Sequence, residues 1–184
     1  MHSYPAEYEE WIVLRNGERI FLRPVKATDG PLILNIFSRL SRETVFFRFL
    51  THLEKISPEM LVHLVRIDYG KDFALAAVLV GEEGKEEFIA VCRYFHHGPG
   101  RAELTIAVRD DYHGQGLGKA MVSRVVEIAR KNGYTKMEII LDSRNEAMKN
   151  LYSGVGYPYF YEASILDICD RMELDLTWKN PAGP

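Results

Sequence analysis

One stretch limits this chain more than any other: "RAELTIAVRDDYHGQGLGKAMVSRVVEIARKNG", residues 101–133. It reads as a β-strand, a loop with glycine at 114, 116 and 118, and a helix closed by Asn132-Gly133. Met121, Val122, Val125, Ile128 and Ala129 recur at helical spacing and give that helix one apolar face. Bare glycines let main-chain N–H groups turn toward one point, and the helix N-terminus adds partial positive charge there. The natural guest is an anion, a pyrophosphate above all. A tight strand-to-helix turn that binds nothing needs only one such glycine.

Two well-known phosphate loops do not fit. A Walker A loop, G-x-x-x-x-G-K-[ST], matches at Gly118-Lys119, but Ala120 lacks the hydroxyl that would hold magnesium and His113 replaces the first glycine. A Rossmann loop, G-x-G-x-x-G/A, ends on Lys119 when read from Gly114 and on Met121 when read from Gly116. A Rossmann loop would also follow the first strand, whereas this one comes past mid-chain, after several strands.

The flanking sequence supplies the other elements. Asn16-Gly17 lies between two β-rich runs in "EWIVLRNGERIFLRPV" and predicts a hairpin. A helix follows from Thr28 or Asp29, with Pro31 in its first turn and Leu32, Ile36, Phe37 and Leu40 on one face. "SRETVFFRFL" is a second helical piece, and Ser57-Pro58 opens a third. "FALAAVLV" and "EFIAVCRYF" form a hairpin through the charged "GEEGKEE", and "RAELTIAV" is the next strand. After the loop helix come a strand, "KMEIIL", and a short helix, "NEAMKNLYSGVGY". Two closing strands lie within "YPYFYEASILDICDRMELDL". The expected fold is α/β (α+β), a mixed, mostly antiparallel central sheet flanked by helices. We read residues 1–184 as one domain, with 1–18 a hairpin extension and 178–184 a frayed tail.

Composition narrows the class of partner. The chain carries 23 basic and 26 acidic residues, a net charge of 23 − 26 = −3, which gives no general pull toward nucleic acid or anionic membranes. "FALAAVLVG" is far too short to span a bilayer, and the polar opening "MHSYPAEYEEW" does not resemble a secretory leader, so a cytoplasmic location is expected. Cys92 and Cys169 fall in apolar runs outside any ligand spacing and read as buried thiols. His96-His97 lacks a third ligand, so no metal is expected.

The glycine loop and the later block "LDSRNEAMKNLYSGVGY" together resemble the GCN5-related N-acetyltransferases. That family's loop, Q/R-x-x-G-x-G/A, is matched by His113-Gly114-Gln115-Gly116-Leu117-Gly118. Its second motif, N-x-x-A-x-x-L-Y-x-x-x-G-F, is matched at Asn145, Leu151, Tyr152 and Gly156, with Tyr157 at the last position. His113 departs from the usual Gln or Arg, and Met148 from a small residue. The N-terminal half, "IFLRPVKATDGPLILNIFSRLSRETVFFRFL", is similar to a branch of bacterial protein lysine acetyltransferases that silence acyl-CoA synthetases. Members of that branch often carry a synthetase-like or cyclic-nucleotide-binding domain; here the transferase alone is expected.

The resemblance implies acetyl-CoA as donor, a primary amine as acceptor and direct transfer in a ternary complex. It places the pyrophosphate on His113, Gly114, Gln115, Gly116, Leu117, Gly118 and Lys119. The pantetheine arm would pair with Ile106, Ala107 and Val108, where a main-chain N–H can polarise the thioester carbonyl. A lysine ammonium, with a pKa near 10.4, needs a base before it can attack. Glu103 is the candidate base, with Asp110 and Asp111 as rivals that a turn alone would explain. Tyr152 is the candidate acid toward the leaving thiolate, and Asn145 caps its helix and touches the pantetheine. Residues Tyr157 to Tyr161 with Phe95 read as a wall of the acceptor pocket, or as core or interface. "VFFRFL" is a dimer face or core, and the oligomeric state stays open. An acyl-CoA synthetase is the expected protein acceptor. The alternatives are an enzyme acting on a small amine and a non-catalytic acyl-CoA-binding domain, which would have no use for Glu103 and Tyr152.

Overall fold

A computed structural model describes residues 3–164 and 169–178. The first hairpin forms as the sequence predicts: β1 (Glu10–Val13) pairs antiparallel with β2 (Arg19–Pro24). Its turn is longer than a two-residue loop. Leu14 N–H donates to the Glu18 carbonyl at 2.9 Å, Asn16 Oδ1 accepts from Glu18 N–H at 2.9 Å, and Gly17 takes φ +86°.

Three helices follow: α1 (Gly30–Arg39), α2 (Arg42–Phe49) and α3 (Pro58–Val65). Ser41 and Ser57 cap α2 and α3, accepting from Thr44 N–H at 3.1 Å and Met60 N–H at 3.2 Å. Asp29 precedes α1 but does not cap it with its side chain. Its carboxylate is taken instead by the Arg23 guanidinium at 2.7 and 2.9 Å and by Lys26 N–H at 2.7 Å. Arg23 is 1% exposed and also reaches Glu86 at 2.6 Å, so a charged network lies buried beneath the start of α1.

The remaining elements are β3 (Phe73–Val80), β4 (Glu86–His96), β5 (Arg101–Val108), α4 (Leu117–Lys131), β6 (Lys136–Asp142), α5 (Glu146–Ser153), β7 (Tyr159–Glu162) and β8 (Cys169–Asp175). The strands form one sheet in the order β1-β2-β3-β4-β5-β6-β8-β7, antiparallel throughout except between β5 and β6. This is the mixed, mostly antiparallel sheet that was expected, with the glycine loop joining β5 to the longest helix. The expected tail at 178–184 lies, apart from Trp178, outside the described residues, as do 165–168 within the closing segment.

Helices cover both faces. Met121, Val122 and Val125 of α4 pack with Leu75, Ala77, Leu104 and Ile106. Ile33 and Ile36 of α1 and Val65 of α3 pack with Ala74, Ala76, Val78 and Val91 on the opposite face. β3 therefore reads as a continuous apolar run, because both of its faces are buried. β5 alternates: Ala102, Leu104, Ile106 and Val108 are buried, and the residues between them are half-buried. Those half-buried residues point to the side of α2, which packs on β5. Cys92 lies in the core, whereas Cys169 is only half-buried.

Candidate functional site

The site begins where the sheet divides. β5 pairs with β4 from Ala102 to Val108, but with β6 only at Arg101, Ala102 and Glu103, opposite Lys136, Met137 and Glu138. Beyond that point the two strands part, and the edge of β5 faces a cavity of about 200 Å³. Leu104 to Val108, Ile140 and Leu141 line its sheet side; Glu43, Phe47 and Arg48 come from α2, and Asn145, Met148 and Tyr152 from the α5 end. Free strand-edge N–H and C=O groups there can take an added extended chain. Ile106 and Val108 turn their side chains into the core, so they offer main chain to the cavity.

After Val108, a short turn at Asp110–Tyr112 leads into the glycine loop. Gly114 and Gly116 take φ +73° and +89°, the left-handed region that glycine adopts without strain. The first bond into α4 runs from Ala120 N–H to the Gly116 carbonyl at 3.0 Å, leaving the amides from Gly114 to Lys119 without a main-chain partner. The Leu117 side chain is buried, and Lys119 is exposed. Gly118 differs from the other two: its φ is ordinary, and an added Cβ would make normal contacts with Leu151 at 3.5 Å and Val108 at 3.9 Å. Backbone shape therefore requires two of the three glycines. Gly118→Ala is expected to leave coenzyme A affinity within about threefold. Gly116→Ala, strained by about 1–2 kcal/mol, is expected to weaken it about tenfold. Calorimetric titration of both variants checks this, and equal losses would rule it out.

The first hairpin locks this loop from above. Asn16 Nδ2 donates to Gln115 Oε1 at 2.8 Å, and Gln115 Nε2 donates to the Asp111 carbonyl at 2.8 Å. Arg15 lies against Gly116, with its Nε 3.5 Å from where a Cβ would stand. This arginine beside the free amides escaped sequence reasoning, which set 1–18 apart as an extension; the contact spans the chain and has no local signal. His113 Nε2 lies 2.9 Å from the Val108 carbonyl. A carbonyl only accepts, so the proton sits on Nε2 and the ring ties the loop to the end of β5.

Asn145 caps α5 as expected, its Oδ1 accepting from Met148 N–H at 3.1 Å, and it lines the cavity. Tyr152 is 3% exposed. Burial pushes its phenol well above the usual range, Cys92 acts in the same direction and Arg48 opposes them. The hydroxyl is protonated at neutral pH, as any phenol is, and the upward shift makes it a weaker acid. Glu103 stands at the fork itself, half-buried, as the last residue of β5 to pair with β6. Its neighbour Glu138 is engaged by Arg171, whereas the Glu103 carboxylate has no hydrogen bond or ion pair to another described residue, and Glu103 is not among the residues lining the cavity. It acts electrostatically on Arg48, whose guanidinium burial pushes down while Tyr152, Glu103 and Cys92 act the other way.

The rival acids have other work. Asp110 accepts from Ser41 N–H at 2.9 Å, Ser41 Oγ at 2.6 Å and Thr44 Oγ1 at 2.8 Å, tying the start of α2 to the loop. Burial raises its pKa, but these hydrogen bonds prevail and hold it below the usual carboxylate range. Asp111 pairs with Arg109 at 2.6 and 2.8 Å, and that guanidinium lowers it too. The aromatic run needs correction. Tyr159, Phe160 and Tyr161 are exposed on the edge strand β7, Tyr157 bonds Glu127, and neither they nor Phe95 line the cavity. Tyr157 packs against the core, whereas Tyr159, Phe160 and Tyr161 form neither core nor pocket wall, because β7 has a neighbour on one side only. His96 lies 3.1 Å from the Tyr134 hydroxyl and His97 lies 3.6 Å from Glu138; among the described residues no cluster is placed to hold a metal.

Residues 44–157 match the family described as "Acetyltransferase (GNAT) family". The chain is 31% identical over 154 residues to "Acetyltransferase PA5475" of Pseudomonas aeruginosa, covering 83% of this chain and 82% of that protein. It is 30% identical over 148 residues to "Acetyltransferase Pat" of Mycolicibacterium smegmatis. That match takes in 79% of this chain and 43% of Pat, so the chain spans less than half of that relative's length. In three dimensions it is similar to the GNAT domain of S. lividans PAT, with a TM-score of 0.84 and 26% identity over 94% of this chain and 99% of that one.

Proposed function

The chain belongs to the GNAT family of acetyltransferases, and on that premise we propose that it transfers an acetyl group from acetyl-CoA directly to a protein lysine side chain. The observation that carries this reading is the fork between β5 and β6: an unpaired strand edge, an uncommitted carboxylate at its apex and a buried phenol across the cavity. The residues present fit the donor. The free amides from Gly114 to Lys119 and the adjacent Arg15 suit a pyrophosphate, and the β5 edge suits the amide-bearing pantetheine arm.

The chain's own groups then divide the chemistry. The β5 edge orients the thioester, which is chiefly a proximity effect. Glu43, exposed on α2 at the rim, gives a cationic amine an acidic approach, and Glu103 stands at the fork just beyond the cavity lining. Glu103 takes the ammonium proton, directly or through a water, and so releases the lone pair that attacks. Tyr152, a neutral phenol on the cavity wall, donates to the departing thiolate. The N-terminal similarity to protein lysine acetyltransferases supports lysine over a small amine, with an acyl-CoA synthetase as the candidate partner.

The test is thiol release from acetyl-CoA with an AMP-forming acyl-CoA synthetase and, separately, with a panel of small amines. We expect acetylation of a single synthetase lysine and little turnover on the panel. Turnover on a small amine alone would keep the site and overturn the lysine acceptor.

A further inference from the structure

Two buried side-chain polar atoms have no hydrogen-bond partner among the described residues: Arg93 Nη1 and Thr105 Oγ1. They belong to residues directly paired across β4 and β5, so both side chains leave the sheet on one face. That face also carries Glu103 and Ala107. Arg93 is 3% exposed; its Nη2 donates to the Leu64 carbonyl at 3.2 Å, and its guanidinium stands 5.8 Å from the Phe95 ring. It has no ion pair among the described residues. Burial, reinforced by the like charge of Arg48, pushes its pKa down to about 9, which still leaves it charged at neutral pH. A charged guanidinium out of water without a counter-ion is a costly arrangement, and it is retained here.

Arg93 and Arg48 line a second, small cavity of about 40 Å³ whose other walls are mostly apolar, among them Ile36, Phe37 and Leu64. Arg48 and Ala107 also line the first cavity, so the two spaces adjoin beside the β5 edge. Two cations in a space of this size suit one carboxylate, which Arg holds in a planar fork, and the unsatisfied Thr105 hydroxyl lines the adjoining first cavity, across the β4–β5 rung from Arg93.

We propose that Arg93, Arg48 and Thr105 form a receptor for a carboxylate on the same molecule that presents the amine. This rests on the acyl-transfer reading above and adds a second recognition element to the acceptor. The carboxylate can come from an acidic side chain flanking the target lysine or from the carboxyl group of a small amino acid.

Matched acceptor pairs separate these sources: a lysine peptide with a neighbouring Glu or Gln, and free lysine beside 1,5-diaminopentane. The wild type should prefer the carboxylate-bearing member of one pair at least tenfold in kcat/KM, mainly through KM. Arg93→Met should bring that preference close to one, and Arg93→Lys should keep part of it. Sodium glutarate, with neutral glutaramide as control, gives a readout that needs no turnover. Glutarate alone should raise the thermal midpoint of the wild type, and Arg93→Met should abolish the rise. A wild type with no preference in either pair and no response to glutarate overturns the receptor; water then satisfies the two groups. A preference that follows succinyl-CoA over acetyl-CoA instead of the acceptor overturns its place on the acceptor side. A glutarate response without lysine acetylation supports the receptor while the lysine reading fails.

Discussion

Glu103→Gln is expected to slow acetyl transfer by about a hundredfold to ten-thousandfold, the usual contribution of a positioned general base. The replacement keeps volume and polarity but cannot take a proton. Acetyl-CoA should bind with unchanged affinity, because the glycine loop and the β5 edge that we propose hold the donor do not use this side chain. The residual rate should climb with the fraction of free amine, toward the lysine pKa of about 10.4. Thiol release from pH 6 to 10 measures the rate, and calorimetry measures the affinity. Wild-type turnover in the variant would remove Glu103 as base. Asp110 and Asp111 could not readily replace it, since both are committed to Ser41, Thr44 and Arg109.

Asp29→Ala should have the largest effect on stability, a loss of about 3–5 kcal/mol. Arg23 is almost fully buried and takes both Asp29 oxygens, so the variant leaves it with the Pro24 carbonyl and, as a charged partner, only the partly exposed Glu86 among the described residues. Lys26 N–H loses its acceptor as well. The thermal midpoint should fall by roughly 10 °C at about 2–4 °C per kcal/mol. Replacing both partners with apolar residues, as in Arg23→Met with Asp29→Leu, should recover much of the loss, because the cost lies in stranding one charge. Chemical denaturation of the three variants reads this directly. A loss below about 1 kcal/mol for Asp29→Ala would show that Glu86 and water suffice.

The sequence was most legible where local chemistry decides the outcome. The apolar stripe of α4, the serine caps of α2 and α3, the Asn145 cap and the left-handed glycines at 114 and 116 each follow from a few neighbouring residues. The fork was out of reach because it depends on where strand pairing stops, and nothing in "RAELTIAV" or "KMEIIL" marks Glu103 and Glu138 as the last partners. Asp29 looked like a helix opener and became a buried counter-ion, because Arg23 competes for its carboxylate more strongly than a helix amide does. The run from Tyr157 looked like wall, core or interface on hydrophobicity alone, which does not distinguish an edge strand from an inner one. Arg93 did leave a signal: a lone charge within the apolar "AVCRYF" asks where its counter-ion is.

The shortness of the β5–β6 ladder makes the sheet two slabs, five strands and three strands, joined at one end by three rungs. An extended arm lying along β5 would supply rungs that the chain itself omits. The donor would then be a piece of architecture that is installed and discarded at every turnover. The tolerance of this protein to heat would follow the coenzyme supply around it, and between turnovers the three-strand slab would be the first part to loosen.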